Sequence, residues 1–133
     1  MELEKYIDEL KAAAIEARKF ASVNAANFTV GAALLTKSGK IYTGCNINTS
    51  TLLFNVCAEQ TAIVKAISEG EKEFVAIAVC GEEAEKEYDR LLPCGTCRQL
   101  LAECNPNMKV IEFNKTQTVI HTVKDLIPHS FDI

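Results

Sequence analysis

No apolar run in this chain approaches the ~18 residues that a membrane-spanning helix requires, so no membrane role is expected. The opening MELEKYIDELKAAAIEARKF lacks the basic region and apolar stretch of a secretory signal, which points to a cytoplasmic protein. A clustered basic face is also missing: the net charge is −4 and the lysines and arginines are scattered. Proteins that grip a nucleic-acid backbone concentrate positive charge, and single-strand binders add a track of aromatics to it. A small-molecule ligand is therefore expected, with no nucleic-acid partner. The sequence shows no internal repeat, linker or low-complexity stretch. Residues 1–133 are thus expected to form a single domain, long enough to bury a core without covalent staples.

Hydrophobic residues make up 48% of the chain and charged residues 24%, the balance of a globular protein. Their spacing suggests an order of elements. From Glu4 to about Ala21 the apolar positions Ile7, Leu10, Ala14, Ala17 and Ala21 step by three and four, one stripe of an amphipathic helix. Two apolar segments around Lys37-Ser38-Gly39-Lys40 read as a β-hairpin within 28–47. A second helix is expected from Cys57 to Glu69, ended by Gly70. The continuous run 74-FVAIAVC-80 predicts a strand covered on both faces. An acidic, solvated loop over 81–92 precedes a third helix near 94–104, a strand at 108–113, a strand near 117–121 and a helical turn at 122–127. Helices alternating with the later strands imply crossover connections and a mixed sheet between helical layers, an α/β fold.

The chemistry lies in the six cysteines, which in a reducing compartment serve metals or catalysis more often than disulfides. Cys94 and Cys97, in 92-LPCGTCRQLL-101, would share the first turn of the third helix, where free N–H groups and the helix dipole favour thiolates. Pro93 suits a helix entrance. Cys104 falls two turns along, ~10 Å down the axis, too far to share an ion with Cys97. Cys45 and Cys80 end apolar strands and read as core thiols. Cys57, in 56-VCAEQTA-62, opens a helix of its own. Three thiolates with one open position are the arrangement of a catalytic zinc. Glu59 lies ~200° around the helix from Cys57, so it would stand beside the ion as a proton carrier and not ligate it. Read alone, CxxC also admits a thioredoxin-type redox pair or plain burial, and a first-turn glutamate is ordinarily a dipole partner.

Cys57-Ala58-Glu59 followed by Pro93-Cys94-Gly95-Thr96-Cys97 reproduces the [HC]-x-E and P-C-x-x-C signature of zinc deaminases. The chain resembles the cytidine deaminase superfamily, and most of all its small homotetrameric free-nucleoside enzymes, through FTVGAALLTKSGKIYTGCNI, CAEQTAIVKAISEG, PCGTCRQLL and DLIPHSF. The resemblance implies a three-layer α/β/α sandwich with a mixed five-stranded sheet. It implies zinc held by Cys57, Cys94 and Cys97 with water as the fourth ligand, and Glu59 carrying the proton to the base and the leaving amine. It places Phe28, Asn46, Asn48 and Ala58 at the substrate, and Phe131 in the pocket of a neighbouring subunit of a homotetramer. On the residues alone, both phenylalanines read as core. His121 and His129, the only histidines, match no ligand position and read as structural.

Three departures bear on the substrate. Where the cytidine enzymes carry a ribose-binding glutamate this chain has Asn48, a weaker acceptor. Where they carry an arginine that offsets the thiolate charge it has Gln60, which donates to sulfur without charge, leaving helix dipoles or Arg98 to compensate. A common tyrosine is replaced by Leu52. Blasticidin S deaminases also lack that glutamate and arginine. The expected activity is zinc-dependent hydrolytic deamination of cytidine or deoxycytidine in pyrimidine salvage. The alternatives are a cytosine nucleoside analogue such as blasticidin S as substrate, or a zinc-stabilised binding protein without turnover.

Overall fold

The structure, a computed structural model, describes residues 1–22, 28–51, 53–81 and 91–132. The acidic stretch 82–90 and Leu52 therefore lie outside the described residues. The first helix is split: a 3-10 turn at Leu3–Lys5 leads through Tyr6 into α1 (Ile7–Arg18). Its last expected residues, up to Ala21, form tighter i→i−3 bonds, Phe20 N–H to Ala17 and Ala21 N–H to Arg18. Leu10, Ala14 and Ala17 face inward as their spacing predicts.

The hairpin pairs β1 (Val30–Thr36) with β2 (Ile41–Cys45), and Gly39 supplies the positive φ of 90° at its turn. Then follow α2 (Ala58–Ser68), β3 (Phe74–Gly81), α3 (Gly95–Cys104), β4 (Lys109–Phe113), β5 (Thr118–Thr122) and the short α4 (Val123–Leu126). The five strands form one sheet in the order β2-β1-β3-β4-β5. Only β3 and β4 pair in parallel. β2 and β3 both run antiparallel to β1 and so share a direction, which makes α2 a crossover above β1, as α3 is between β3 and β4.

Alternate residues of the central strands feed two cores. Ala33, Leu35, Ala76, Ala78, Cys80, Ile111 and Phe113 pack under α1 on one face. Leu34, Ile77, Val79 and Val110 meet Ala62, Ile63 and Leu101 of α2 and α3 on the other. This is the expected α/β/α layering around a five-stranded mixed sheet. β3 is covered on both sides, which is why its sequence shows a run of apolar residues and no alternation. At Gly44 the covering helix comes unusually close: a Cβ there would sit 2.3 Å from the Ala58 carbonyl oxygen and 2.5 Å from the Ala62 nitrogen. Among the described residues no helix is long and apolar enough to cross a membrane.

Candidate active site

Two helix starts meet on the α2–α3 face of the sheet. Cys57 is the N-cap of α2 and Cys94 the N-cap of α3, both in extended conformation, with Cys97 in the first turn of α3. The Sγ atoms of Cys57, Cys94 and Cys97 all lie within 4.8 Å of one another, and Cys57 and Cys94 approach to 3.9 Å. Four ligands at the ~2.3 Å zinc–sulfur distance of a tetrahedral site stand roughly 3.8 Å apart, so the three thiols have the spacing that zinc demands. Cys104, Cys45 and Cys80 do not join the cluster. Cys80 is a core thiol as expected, while Cys45 is half-buried.

Charge explains why a cation belongs there. Burial pushes the Cys97 thiol far up, helped by the negative charge of Glu59 and of the two other cysteines. Burial raises Cys57 as well. It also opposes ionisation of Cys94, but the Cys97 backbone N–H, the Cys97 and Cys57 thiols and the Thr96 N–H outweigh it and hold Cys94 below the ordinary thiol value. A helix start thus ionises one thiol readily, and three thiolates together need a metal to balance them.

The Gln60 side chain is anchored to the backbone of Cys57. Its Oε1 accepts the Cys57 backbone N–H at 2.9 Å, and in this capping box the Gln60 backbone N–H is what reaches the Cys57 thiol. Arg98, directly after Cys97 in the chain, donates instead to the backbone carbonyls of Pro93 and Leu126, both at 2.8 Å. The helix N-termini therefore carry the compensation at the thiols.

Glu59 is buried beside the cluster, only 4% exposed. Burial raises its carboxyl above the usual carboxylate range, against the opposing bonds from its own backbone N–H and the Cys97 thiol. A cavity of about 220 Å³ opens in front, with Cys57, Ala58, Glu59 and Cys94 at one end. Asn46, Asn48, Asn55, Val30, Val56, Leu91 and Leu92 complete its lining, with Val30 and Asn46 joined by hydrogen bonds. Asn46, Asn48 and Ala58, named from sequence, are thus brought to one hollow. Asn55 and the four aliphatic residues were not foreseen; Asn55, two residues before Cys57, carried only its closeness to the motif as a signal.

The two phenylalanines are not core. Phe28 is 43% exposed, with its ring packed over Gly81 near the end of β3. Phe131 is 70% exposed and stands apart from the cavity, its backbone clamped by Gln99, which accepts its N–H at 3.2 Å and donates to its carbonyl at 2.8 Å. Neither histidine joins the thiols: His121 pairs with the buried Glu112 at 2.8 Å, and His129 occupies a left-handed turn with φ 59°. A larger hollow of about 580 Å³ lies at the opposite ends of the strands, among Lys37, Lys72 and Lys109, and holds no such cluster.

Comparison with known proteins fits this geometry. Residues 4–113 match the family described as the cytidine and deoxycytidylate deaminase zinc-binding region. Cytidine deaminase of Sporosarcina psychrophila is 43% identical over 133 residues, covering 98% of this chain and 92% of its own. Blasticidin-S deaminase of Bacillus cereus is 36% identical over 103 residues, 74% of each chain. The crystal structure of cytidine deaminase from Burkholderia pseudomallei superposes with a TM-score of 0.84 at 37% identity, over 93% of this chain and 98% of that one.

Proposed function

This chain belongs to the cytidine and deoxycytidylate deaminase family of zinc-dependent hydrolases, and from that premise we propose that it deaminates free cytidine or deoxycytidine in pyrimidine salvage. The carrying observation is the buried carboxyl of Glu59 beside three converging thiols at the end of a small cavity. At about 220 Å³ that cavity is below the ~300–1,000 Å³ of a drug-sized site, a size that suits a base with part of its sugar.

In this reading Cys57, Cys94 and Cys97 hold zinc, which supplies a Lewis acid that brings the acidity of water near neutral pH. Ala58 lies against the base, and Asn46 and Asn48 face the sugar. Glu59 takes a proton from the attacking water at a carboxylate oxygen. It gives that proton to the pyrimidine ring nitrogen, then takes the remaining proton from the hydroxyl added at C4 and passes it to the exocyclic amine, which leaves as ammonia. Water adds at C4 and the C4–N bond breaks, so cytidine and water become uridine and ammonia. A carboxyl raised by burial above the usual carboxylate range holds a proton more readily, which suits that shuttle. The exposed rings of Phe28 and Phe131 support, in this reading, a homotetramer whose neighbouring copies cover them, working in the cytoplasm as the resemblance to the small free-nucleoside enzymes suggests.

Glu59→Ala is the test. Zinc should remain at one per chain while kcat falls by about 10²–10⁴ or more. Unchanged turnover would remove Glu59 from the chemistry. A second reading, a cytosine nucleoside analogue such as blasticidin S as substrate, draws on Asn48 and Gln60 and on the resemblance to the Bacillus cereus protein. The ultraviolet change with cytidine, deoxycytidine and blasticidin S in parallel separates the two. No turnover of any, with zinc bound, would favour a binding protein.

A further inference from the structure

The polar wall of the cavity is made of three asparagine side chains, and backbone groups fix which way two of them point. The Val30 N–H donates to Asn46 Oδ1 at 2.8 Å, so the oxygen of that amide faces β1. Its Nδ2 then donates to the Phe28 carbonyl at 2.8 Å and to Asn48 at 3.1 Å. With both hydrogens of Asn46 Nδ2 given away, the atom of Asn48 that meets it is the acceptor, Oδ1. Asn55 is oriented independently, its Oδ1 accepting the Thr49 N–H at 2.7 Å. All three carbonyl oxygens of the wall are therefore engaged by the protein itself.

Asn48 is half-buried, and its backbone N–H is tied to the Ser22 carbonyl at 2.7 Å. Asn48 lines the cavity, and with its Oδ1 accepting from Asn46 the atom its side chain has wholly unspent is Nδ2, a donor. Among the described residues that line the cavity, the only carboxylate is Glu59, at the thiol end, and none is a lysine or arginine. Apart from Glu59, the described lining carries no carboxylate to receive a proton, while Asn48 can give a hydrogen bond.

We propose that Asn48 sets specificity by donating a hydrogen bond to an acceptor atom on the sugar, so the substrate is selected for a lone pair and not for a hydroxyl proton. This rests on the deaminase reading above. A hydroxyl satisfies the amide by accepting, and so does any acceptor of similar size. A carboxylate at the same place would demand the hydroxyl proton and repel a group that lacks one.

The experiment compares cytidine with its 2′-deoxy, 3′-deoxy, 2′-fluoro-2′-deoxy and 3′-fluoro-3′-deoxy analogues, on the zinc-loaded wild type, Asn48→Asp and Asn48→Ala. Fluorine matches a hydroxyl in size, carries lone pairs and has no proton. At the sugar position where removing the oxygen raises KM by about tenfold, wild type should recover at least about threefold of that loss with fluorine, a weak acceptor that still carries lone pairs. Asn48→Asp should keep the hydroxyl substrate and raise the fluoro KM at least about thirtyfold relative to it. Asn48→Ala should reduce hydroxyl and fluoro substrates to the level of the deoxy analogue, which keeps the test open if the aspartate variant folds poorly. If wild type rejects fluorine as strongly as it rejects the deoxy analogue, or if neither sugar position matters, the inference is overturned while the deaminase reading stands. If wild type turns over none of these nucleosides, both fail together.

Discussion

Gly44→Ala is the substitution that most directly joins the fold to the site. The added Cβ would lie 2.3 Å from the Ala58 carbonyl oxygen, 2.5 Å from the Ala62 nitrogen and 3.0 Å from Thr61 Cβ, where ordinary contact begins near 3.4 Å. The deficit is about 1 Å, and the first two obstacles are backbone, so no rotamer relieves it. α2 must move as a body away from β2. Overpacking of this kind costs about 1–3 kcal/mol, which at this chain length lowers Tm by about 3–15 °C. The larger consequence is at the thiols. Cys57 caps α2 directly before Ala58, and a zinc site tolerates errors of only about 0.2 Å in its bonds. A shift near 1 Å relative to Cys94 and Cys97 should therefore lower zinc per chain and cut kcat/KM by tenfold or more.

Two other glycines calibrate the experiment. At Gly31 a Cβ would come within 2.0 Å of the Ala14 carbonyl oxygen, but the helix it displaces is α1, on the opposite face. Gly31→Ala should destabilise at least as much while the folded fraction keeps its zinc. At Gly70 nothing lies within 4 Å and only the φ of +97° is strained, so Gly70→Ala should cost about 1 kcal/mol and leave the metal untouched. Thermal unfolding, zinc quantified per chain and kcat/KM on the three variants decide the matter. Wild-type Tm and full zinc in Gly44→Ala, or equal zinc loss in Gly31→Ala, would refute the argument.

Further outcomes are expected. Removing zinc with a chelator should abolish turnover and lower Tm by at least about 5 °C, both reversed by added zinc; a Tm indifferent to chelation would place the thiols outside a metal site. Leu34→Ala empties a fully buried position between the sheet and α2 and should cost about 2–5 kcal/mol by denaturant unfolding, with m unchanged. Stability should fall at both ends of the pH range through one network. The Ser38 hydroxyl, at 2.9 Å, holds the Glu71 carboxyl below its usual value, with the Tyr42 hydroxyl assisting against partial burial. A depressed carboxyl stabilises above the unfolded-state value, and that contribution disappears as pH falls through the folded one, so Glu71→Gln should flatten the acid limb. Burial of the ring, and then the bond to Glu71, push Tyr42 up to about 12 from 10.0. Between those values the unfolded chain loses the proton first, stability falls as pH rises, and Tyr42→Phe should remove that slope. Unaltered limbs in equilibrium unfolding at graded pH would exclude the pair as their source.

Much of the fold was legible because each element announces itself locally. The three-and-four stepping of Leu10, Ala14 and Ala17, the run from Phe74 to Cys80 and the turn at Gly39 all reappear where the pattern puts them. The ends of α1 were not legible. Leu3–Lys5 and the turns through Ala21 continue the same periodicity, and whether a residue closes an i→i−4 or an i→i−3 bond is not written in that periodicity. Exposure of the phenylalanines was equally hidden. Hydrophobicity states that a ring gains by leaving water, but not whether this chain supplies the cover. Phe28 finds part of its cover on Gly81, and Phe131 is held by backbone bonds to Gln99 with its ring outward.

The site divides along the same line. A cysteine at a helix start is a local feature, so Cys57, Cys94 and Cys97 could be singled out from spacing. Their meeting was expected from the chemistry of three thiolates and from the motif, and topology supplies the physical reason for it. β2 and β3 run the same way, each is followed by a helix on the same face, and both helices therefore begin at the same end of the sheet. Cys57 follows β2 and Cys94 follows β3, and α/β folds generally place ligands just beyond such strand ends. The asparagine wall is the converse case. Asn46, Asn48 and Asn55 are ordinary polar residues until hydrogen bonds from the Val30 N–H, the Asn46 amide and the Thr49 N–H fix which way their amides are turned. The residue types are written in the sequence, but the polarity they present to a ligand is set by which backbone groups lie within reach.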